Sequence, residues 1–181
     1  IFGSNLGSGN FVQAGDVTVN TDYQLELQSN NSYTTPFSSN PTEEIDYDFS
    51  TSNTVSWDVS GSGDVTAFSH TTSNRMPGDV DFLGDYSEVD LSSDVTISID
   101  APSSRADSVI FLIGDSGGNV LQVTKGGNAT SHTFSASEVS TLVSGTGIVQ
   151  VAPYNIETAV YNGSKYYFIN EIVISNYSEL Q

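Results

Sequence analysis

The chain has 181 residues, 22 acidic against 4 basic side chains, a formal net charge of -18 and no cysteine. This charge repels phosphate backbones and anionic lipid head groups. We therefore expect neither nucleic-acid binding nor electrostatic attachment to membranes. The lack of cysteine excludes disulfides, thiolate metal sites and cysteine nucleophiles, and no apolar run approaches the ~20 residues of a transmembrane segment.

Period-two alternation of apolar and polar residues recurs along the chain and predicts an all-β fold. It is clearest at residues 17–19, 23–27, 55–59 and 95–99, each of which predicts a strand with one buried and one solvated face. Two further stretches, 108–114 and 166–175, are apolar on both faces and predict central strands. Glycine-rich and proline-containing breakers separate these stretches, which is typical of an antiparallel β-sandwich.

One short helical turn is predicted near 135–142, because Ser135 and Glu138 have the spacing of a capping box. Pro77 and Gly78 mark a domain boundary, since the strand pattern restarts after them. We therefore predict an N-terminal segment at 1–14, a β unit at 15–77 and an immunoglobulin-like sandwich at 78–181. We expect two packed units, each an immunoglobulin-like or jelly-roll-like sandwich. The alternative is that both merge into one larger sandwich.

The sequence GDSGG at 114–118 has the letters that surround the nucleophilic serine of chymotrypsin-like proteases. His70 precedes Ser116 too closely for the strands of such an enzyme, however, and the chain is too short for its two barrels. Between two strand patterns this composition instead predicts a hairpin loop in which Gly117 or Gly118 supplies a positive φ. We expect Ser116 at an exposed tip, without a histidine in hydrogen-bonding reach, and we expect no enzymatic activity.

The segment PGDVDFLGDYSEVD at 77–90 is the candidate calcium site, through Asp79, Asp81, Asp85 and Asp90. Closely spaced carboxylates on a loop are the oxygen ligands that Ca²⁺ requires. The alternative is a solvated acidic loop between strands. No other cofactor is predicted, because His70 and His132 have no partner at metal-ligand spacing.

Two sets of apolar or aromatic residues are candidates for contacts with partners. Tyrosine faces can stack on sugars, and the candidates for a glycan platform are Tyr154, Tyr161 and Tyr166. Trp57 is expected in the core, because it lies between Val55 and Val59. The Gly/Ser-rich first segment supplies the candidates for a donor strand that is inserted into a neighbouring copy, namely Ile1, Phe2, Leu6 and Phe11.

The ordered series AGDVTVN, WDVSGSGDVTAFSHT, ADSVIFLI, HTFSASEVSTL, GIVQVAPYN and KYYFINEIVIS spans residues 14–175. It resembles a pattern of uncharacterised surface lipoproteins and secreted proteins of Bacteroidota. The resemblance implies a tandem or fused β-sandwich fold and a location at the cell surface or outside the cell, and it carries over no catalytic residue. The chain lacks the lipidated cysteine of such lipoproteins, so surface anchoring and release both stay open.

These observations together predict a non-enzymatic, extracellular, acidic structural or adhesive protein. We expect it to be a subunit of a surface or filament-type assembly. Such an assembly would be a homo-oligomer or polymer whose copies are joined by β-strand addition. The alternative is a carbohydrate-binding surface protein whose partners are glycans.

Overall fold

The computed structural model describes residues 11–21, 23–34, 54–74 and 76–181, and it confirms the predicted all-β fold. The strands and the one short helix are β1 (Val17–Val19), β2 (Tyr23–Gln24), β3 (Glu26–Leu27), β4 (Tyr33–Thr34), β5 (Ser56–Val59), β6 (Phe68–Thr71), β7 (Glu88–Val89), β8 (Val95–Ser98), β9 (Ser108–Asp115), β10 (Val120–Gly126), β11 (Ser131–Phe134), α1 (Ala136–Val139), β12 (Gly145–Tyr161), β13 (Ser164–Glu171) and β14 (Ile174–Leu180).

The described residues divide into two compact units. The first unit contains those up to residue 74 together with 157–168, and the second contains 76–156 and 169–181. The sequence prediction placed 157–168 with the C-terminal domain, but this segment contacts the first unit instead. The physical reason is that its inward side chains, including Tyr161 and Phe168, complete the apolar core of the first unit.

The first unit is built on a four-stranded antiparallel sheet of order β2-β1-β5-β6. The strand register places Val19 opposite Trp57, and Trp57 opposite His70, so these three side chains lie on one face of the sheet. A two-stranded ribbon, β3 with β4, belongs to the same unit. Trp57 is only partly buried, although it packs against this core as expected, and its indole nitrogen has no hydrogen-bond partner among the described residues.

The hairpin of β12 and β13 covers the first unit's core with one of its faces. Its two-residue turn, Asn162 and Gly163, has φ values of 47° and 83°, the positive values that an Asn-Gly hairpin turn requires. Alternation then points Phe168 inward, where it is 7 % exposed, and Tyr167 outward, where it is 57 % exposed. The hairpin therefore presents one dry and one wet face.

The second unit is built on the larger sheet, of order β10-β9-β12-β14-β7; β13 also pairs with β12, and this sixth strand lies mostly in the first unit. All pairings on the path from β10 to β14 are antiparallel, and β14 pairs with β7 in parallel. Phe111 and Val149 on this sheet share a buried core with Ile97 of β8 and Phe134 of β11. Because β8 and β11 pair with each other, the core lies between two sheets, as in the predicted sandwich.

The two strand patterns that are apolar on both faces have different outcomes. Residues 108–114 fall within β9, which lies between β10 and β12, so the prediction of a central strand is confirmed. Residues 166–175 do not form one central strand, because they divide between β13 and β14 at residues 172–173. The outward apolar side chains of β13 stay exposed, as Ile169 at 53 % shows.

The predicted helical turn is confirmed as α1. The Glu138 carboxylate accepts hydrogen bonds from the backbone N–H of Ser135 at 2.8 Å and from its hydroxyl at 2.7 Å. These bonds hold the pKa of Glu138 below its usual range, against a small opposing effect of burial. Val139 is fully buried and fixes this turn to the second unit's core.

Candidate functional site

The GDSGG sequence forms the hairpin loop between β9 and β10, so that prediction is confirmed. Ser116 is exposed at the turn, and Gly118 supplies the positive φ, 89°. Among the described residues, no hydrogen bond joins Ser116 to either histidine, while its backbone N–H donates to the carbonyl of Thr146 at 3.1 Å. A nucleophilic serine needs an adjacent base, and the hydrogen bonds of the described residues place none on the Ser116 hydroxyl.

Asp115 organises this loop. Its carboxylate accepts from the backbone N–H of Asn119 at 2.9 Å, from the Asn119 side-chain amide at 2.8 Å and from the N–H of Val143 at 2.7 Å. The Asn119 side chain first and the Val143 amide next lower the pKa of Asp115 to about 2. The aspartate of GDSGG thus has a structural role in the turn.

The structure does not gather the four carboxylates proposed for calcium, namely Asp79, Asp81, Asp85 and Asp90. Asp85 accepts the N–H of Ser87 at 2.9 Å, and Asp90 accepts the N–H and hydroxyl of Ser92 at 2.8 and 2.6 Å. These bonds lower the pKa of both carboxyls. Within the described ranges no three acidic or histidine side chains converge as metal ligands, so the geometry lends the calcium prediction no support.

The three tyrosines proposed as a glycan platform are divided between the two units. Tyr154 belongs to the second unit, whereas Tyr161 and Tyr166 belong to the first. The Tyr161 ring stacks on Phe68 with centroids 4.6 Å apart and planes 12° apart, and Tyr166 lies 4.6 Å from the same ring. Both rings are partly buried against the first unit's core, so packing on Phe68 occupies part of the surface that a sugar would need.

Of the two most exposed tyrosines among the described residues, the sequence pointed to Tyr167 as a further sugar-stacking aromatic residue, and Tyr177 was missed. Tyr177 on β14 is 79 % exposed, and Tyr167 on β13 is 57 % exposed with the Lys165 ammonium 4.8 Å from its ring centroid. The signal that finds them is the alternation of their strands, because their neighbours Phe168 and Ser178 are buried.

A polar cluster in the first unit was also missed by the sequence. The His70 ring stacks on Phe168 with centroids 3.8 Å apart and planes 18° apart. Its Nε2 lies 2.6 Å from Glu157 Oε1, and its Nδ1 lies 2.8 Å from the Tyr161 hydroxyl. The side chains of His70 and Glu157 are only 12 % and 17 % exposed, so the pair is largely removed from water.

The second oxygen of Glu157 is also fully engaged. It accepts the N–H of Ser73 at 2.8 Å, the Ser73 hydroxyl at 2.6 Å and the N–H of Asn74 at 3.3 Å. Burial acts to raise the pKa of Glu157, but the bonds from Ser73 and His70 outweigh it and lower the pKa. Glu157 is therefore an ionised carboxylate that connects β12 to β6 and to the loop after β6.

The order of groups in this cluster decides its chemistry. In a serine hydrolase the histidine lies between the nucleophile and the acid, so that it can take the serine proton. Here the Glu157 carboxylate lies between Ser73 and His70, and it accepts from both. The arrangement therefore works as a clamp that holds the hairpin on the sheet, which we call the His70–Glu157 clamp.

Strand β10 is the open end of the six-stranded sheet. Among the described strands it pairs with β9 alone. The carbonyl of Asn119 accepts the N–H of Asp115 at 3.0 Å, so by alternation the amides and carbonyls of Val120, Gln122 and Thr124 point away from β9. Such unpaired groups are a template for another strand. This row, residues 120–124, is the candidate interaction edge.

Comparisons with known proteins do not place the chain in a family. No protein-family model matches it, and no curated protein matches it. Within the part of the chain that the structure describes, no helix is long and apolar enough to cross a membrane.

Proposed function

We propose that this protein is a non-enzymatic, extracellular structural or adhesive subunit whose copies join by β-strand addition in a surface or filament-type assembly. The observation that carries the proposal is the open edge of β10. Strand addition works because main-chain hydrogen bonds supply the affinity and alternate side chains supply the specificity. The outward amides and carbonyls of β10 can make the main-chain hydrogen bonds. The side chain of Val120, which is 53 % exposed, can supply specificity.

The first five residues of the edge, 120–124, lack the usual protection against pairing. Natural sheets blunt their edges with charges, proline or very short strands. Strand β10 has seven residues, and its first five, VLQVT, include no charge and no proline. The other end of the same sheet, β7, has two residues and cannot offer a comparable row. These features favour β10 as the acceptor.

The clamp supports the non-enzymatic part of the proposal. His70 and Glu157 bind each other and their own chain, and neither directs a free polar atom toward a substrate among the described contacts. A buried polar network whose members satisfy one another rigidifies its surroundings. In a subunit of an assembly, such a network resists separation of the β12–β13 hairpin from the sheet that contains β6.

The sequence offers four residues as candidates for the added strand. The sequence candidates Ile1, Phe2 and Leu6 lie outside the described residues. The fourth candidate, Phe11, is described, and its carbonyl accepts a hydrogen bond from the Asn31 side chain of its own chain at 3.1 Å. Phe11 is thus engaged by its own unit, which does not favour it as part of an exchanged strand.

The assembly state of the full chain tests the proposed function. Copies with a net charge of -18 repel one another through solution, and salt screens that repulsion over about 8 Å at physiological ionic strength. We therefore expect concentration-dependent oligomers in analytical ultracentrifugation, with a larger oligomer fraction as salt increases. Negative-stain images should show ordered assemblies. A chain that is monomeric at every concentration and salt level would contradict the proposal.

A second candidate, carbohydrate binding, is favoured by one observation, the 79 % exposed ring of Tyr177. A flat, accessible aromatic face is suited to stacking on a sugar. Retention of the chain on immobilised polysaccharide, lost in Tyr177→Ala and kept in Ser175→Ala on the same strand, would support this function. Equal mobility of the chain with and without polysaccharide in affinity electrophoresis would contradict carbohydrate binding.

A further inference from the structure

We propose that the strand accepted by β10 is β10 of a second copy, in an antiparallel pair with a two-fold axis through Gln122. This inference rests on the proposed function and names the partner and register of its β-strand addition. The pair is a closed dimer, so a filament-type assembly would need a second contact between such dimers. Two-fold dimers are the commonest closed assemblies, and they use the same patch on both copies. An antiparallel edge is self-complementary in this way, because a rotation about its centre superimposes the row on itself.

The hydrogen-bonding groups of β10 fit this register. With Gln122 opposite Gln122 of the second copy, Val120 lies opposite Thr124 of that copy, and the reverse. All three residues direct their amides and carbonyls outward, so each facing pair exchanges two hydrogen bonds. The row ends naturally after Thr124, since the carbonyl of Gly126 accepts the N–H of Ala129 at 2.9 Å.

The side chains fit the same register. Leu121 and Val123 point toward the core of their own unit and are half-buried against it. In the proposed pair, Leu121 lies opposite Val123 of the second copy, in the close position where apolar side chains touch. The apolar layer on the core side of the sheet would continue across the axis. On the opposite face, Val120 meets the uncharged Thr124.

The charges around the edge are complementary in this register. Lys125, one of the four basic residues of the chain, comes directly after the row. It would lie opposite Asn119 of the second copy, whose side chain is held by the ionised Asp115 at 2.8 Å. Each end of the pair then brings one cation toward one carboxylate, which offsets part of the repulsion between two acidic chains.

Cysteine cross-linking tests the register, because the chain has no cysteine of its own. Facing residues of this type have Cα atoms about 5.5 Å apart, which a disulfide spans. We therefore expect Gln122→Cys to form a disulfide-linked dimer under mild oxidation. The matched control is Thr124→Cys, whose two copies would lie about 14 Å apart and should not cross-link. A mixture of Val120→Cys and Thr124→Cys chains should cross-link to each other.

Two further variants separate this inference from the proposed function. Gln122→Pro removes an outward N–H and no bond to β9, so it should stay folded by circular dichroism and lose the dimer. A chain without residues 1–10 should keep the Gln122→Cys cross-link. If the chains assemble but Gln122→Cys does not cross-link, or assembly needs residues 1–10, the inference is wrong and the proposed function stands. A strictly monomeric wild type overturns both.

Discussion

Removing the Glu157 carboxylate should selectively destabilise the first unit. Glu157→Ala leaves four donors without their acceptor: one nitrogen of His70, the N–H and hydroxyl of Ser73, and the N–H of Asn74. Hydrogen bonds to a charged group contribute about 1.5–3 kcal/mol each. Ser73 is exposed and can be solvated instead, so the main loss is at the partly buried His70. We expect the unfolding free energy to fall by about 2–3 kcal/mol.

The assay uses Trp57, the one tryptophan of the chain, as a reporter of the first unit. Its ring lies 6.5 Å from Phe168, the ring on which His70 stacks, so its fluorescence follows this region during urea unfolding. The matched variant Glu157→Gln keeps the size and one acceptor, and it should lose about 1 kcal/mol. A loss below about 0.5 kcal/mol in Glu157→Ala would refute the clamp, because surface changes have effects of that size.

The clamp should also depend on pH in a defined direction. The pKa of Glu157 is lowered in the folded state from its ordinary value of 4.5. Its contribution is therefore complete above that value and is lost as the pH falls through the lower folded pKa. We expect the stability difference between wild type and Glu157→Gln to narrow in acid. If the stability difference between the two proteins stayed constant from pH 7 into acid, Glu157 would not be the titrating group of the clamp.

Three other predictions concern the turns and the second core. Gly163→Ala should cost about 1 kcal/mol in the same urea assay, because φ is 83° there; unchanged stability would argue against this turn. Phe111→Ala should cost about 3–5 kcal/mol by circular dichroism, since Phe111 is fully buried; a loss near that of a surface change would place it outside the core. Asp115→Ala should speed hydrogen exchange at the Val143 amide, whereas Ser116→Ala should not, and labelling of Ser116 by a serine-directed reagent would overturn the hairpin interpretation.

Local features of the fold were readable from the sequence because they depend on neighbouring residues. Alternation placed Val17, Val59 and Ile97 on buried faces, since a strand turns successive side chains to opposite sides. The capping box at Ser135 and the hairpin at Asp115 were also predicted, because both depend on hydrogen bonds within five residues.

The candidate site was harder to predict. His70 looked isolated because its partner Glu157 is 87 residues away in the sequence. The calcium prediction used the spacing of carboxylates along the chain, and the structure binds Asp85 and Asp90 to nearby serines instead. The glycan prediction counted tyrosines without knowing which face of the hairpin each one occupies.

The sequence by itself determined that the chain is all-β, where its main turns fall and which faces of most strands are apolar. These properties follow from a two-residue period and from turn chemistry, which act over a few residues. Only the tertiary structure decided which distant strands pair, that 157–168 belongs to the first unit, and that β10 is an edge among the described strands. Strand pairing is decided by the burial of whole faces between segments far apart in the chain, and no local pattern encodes it.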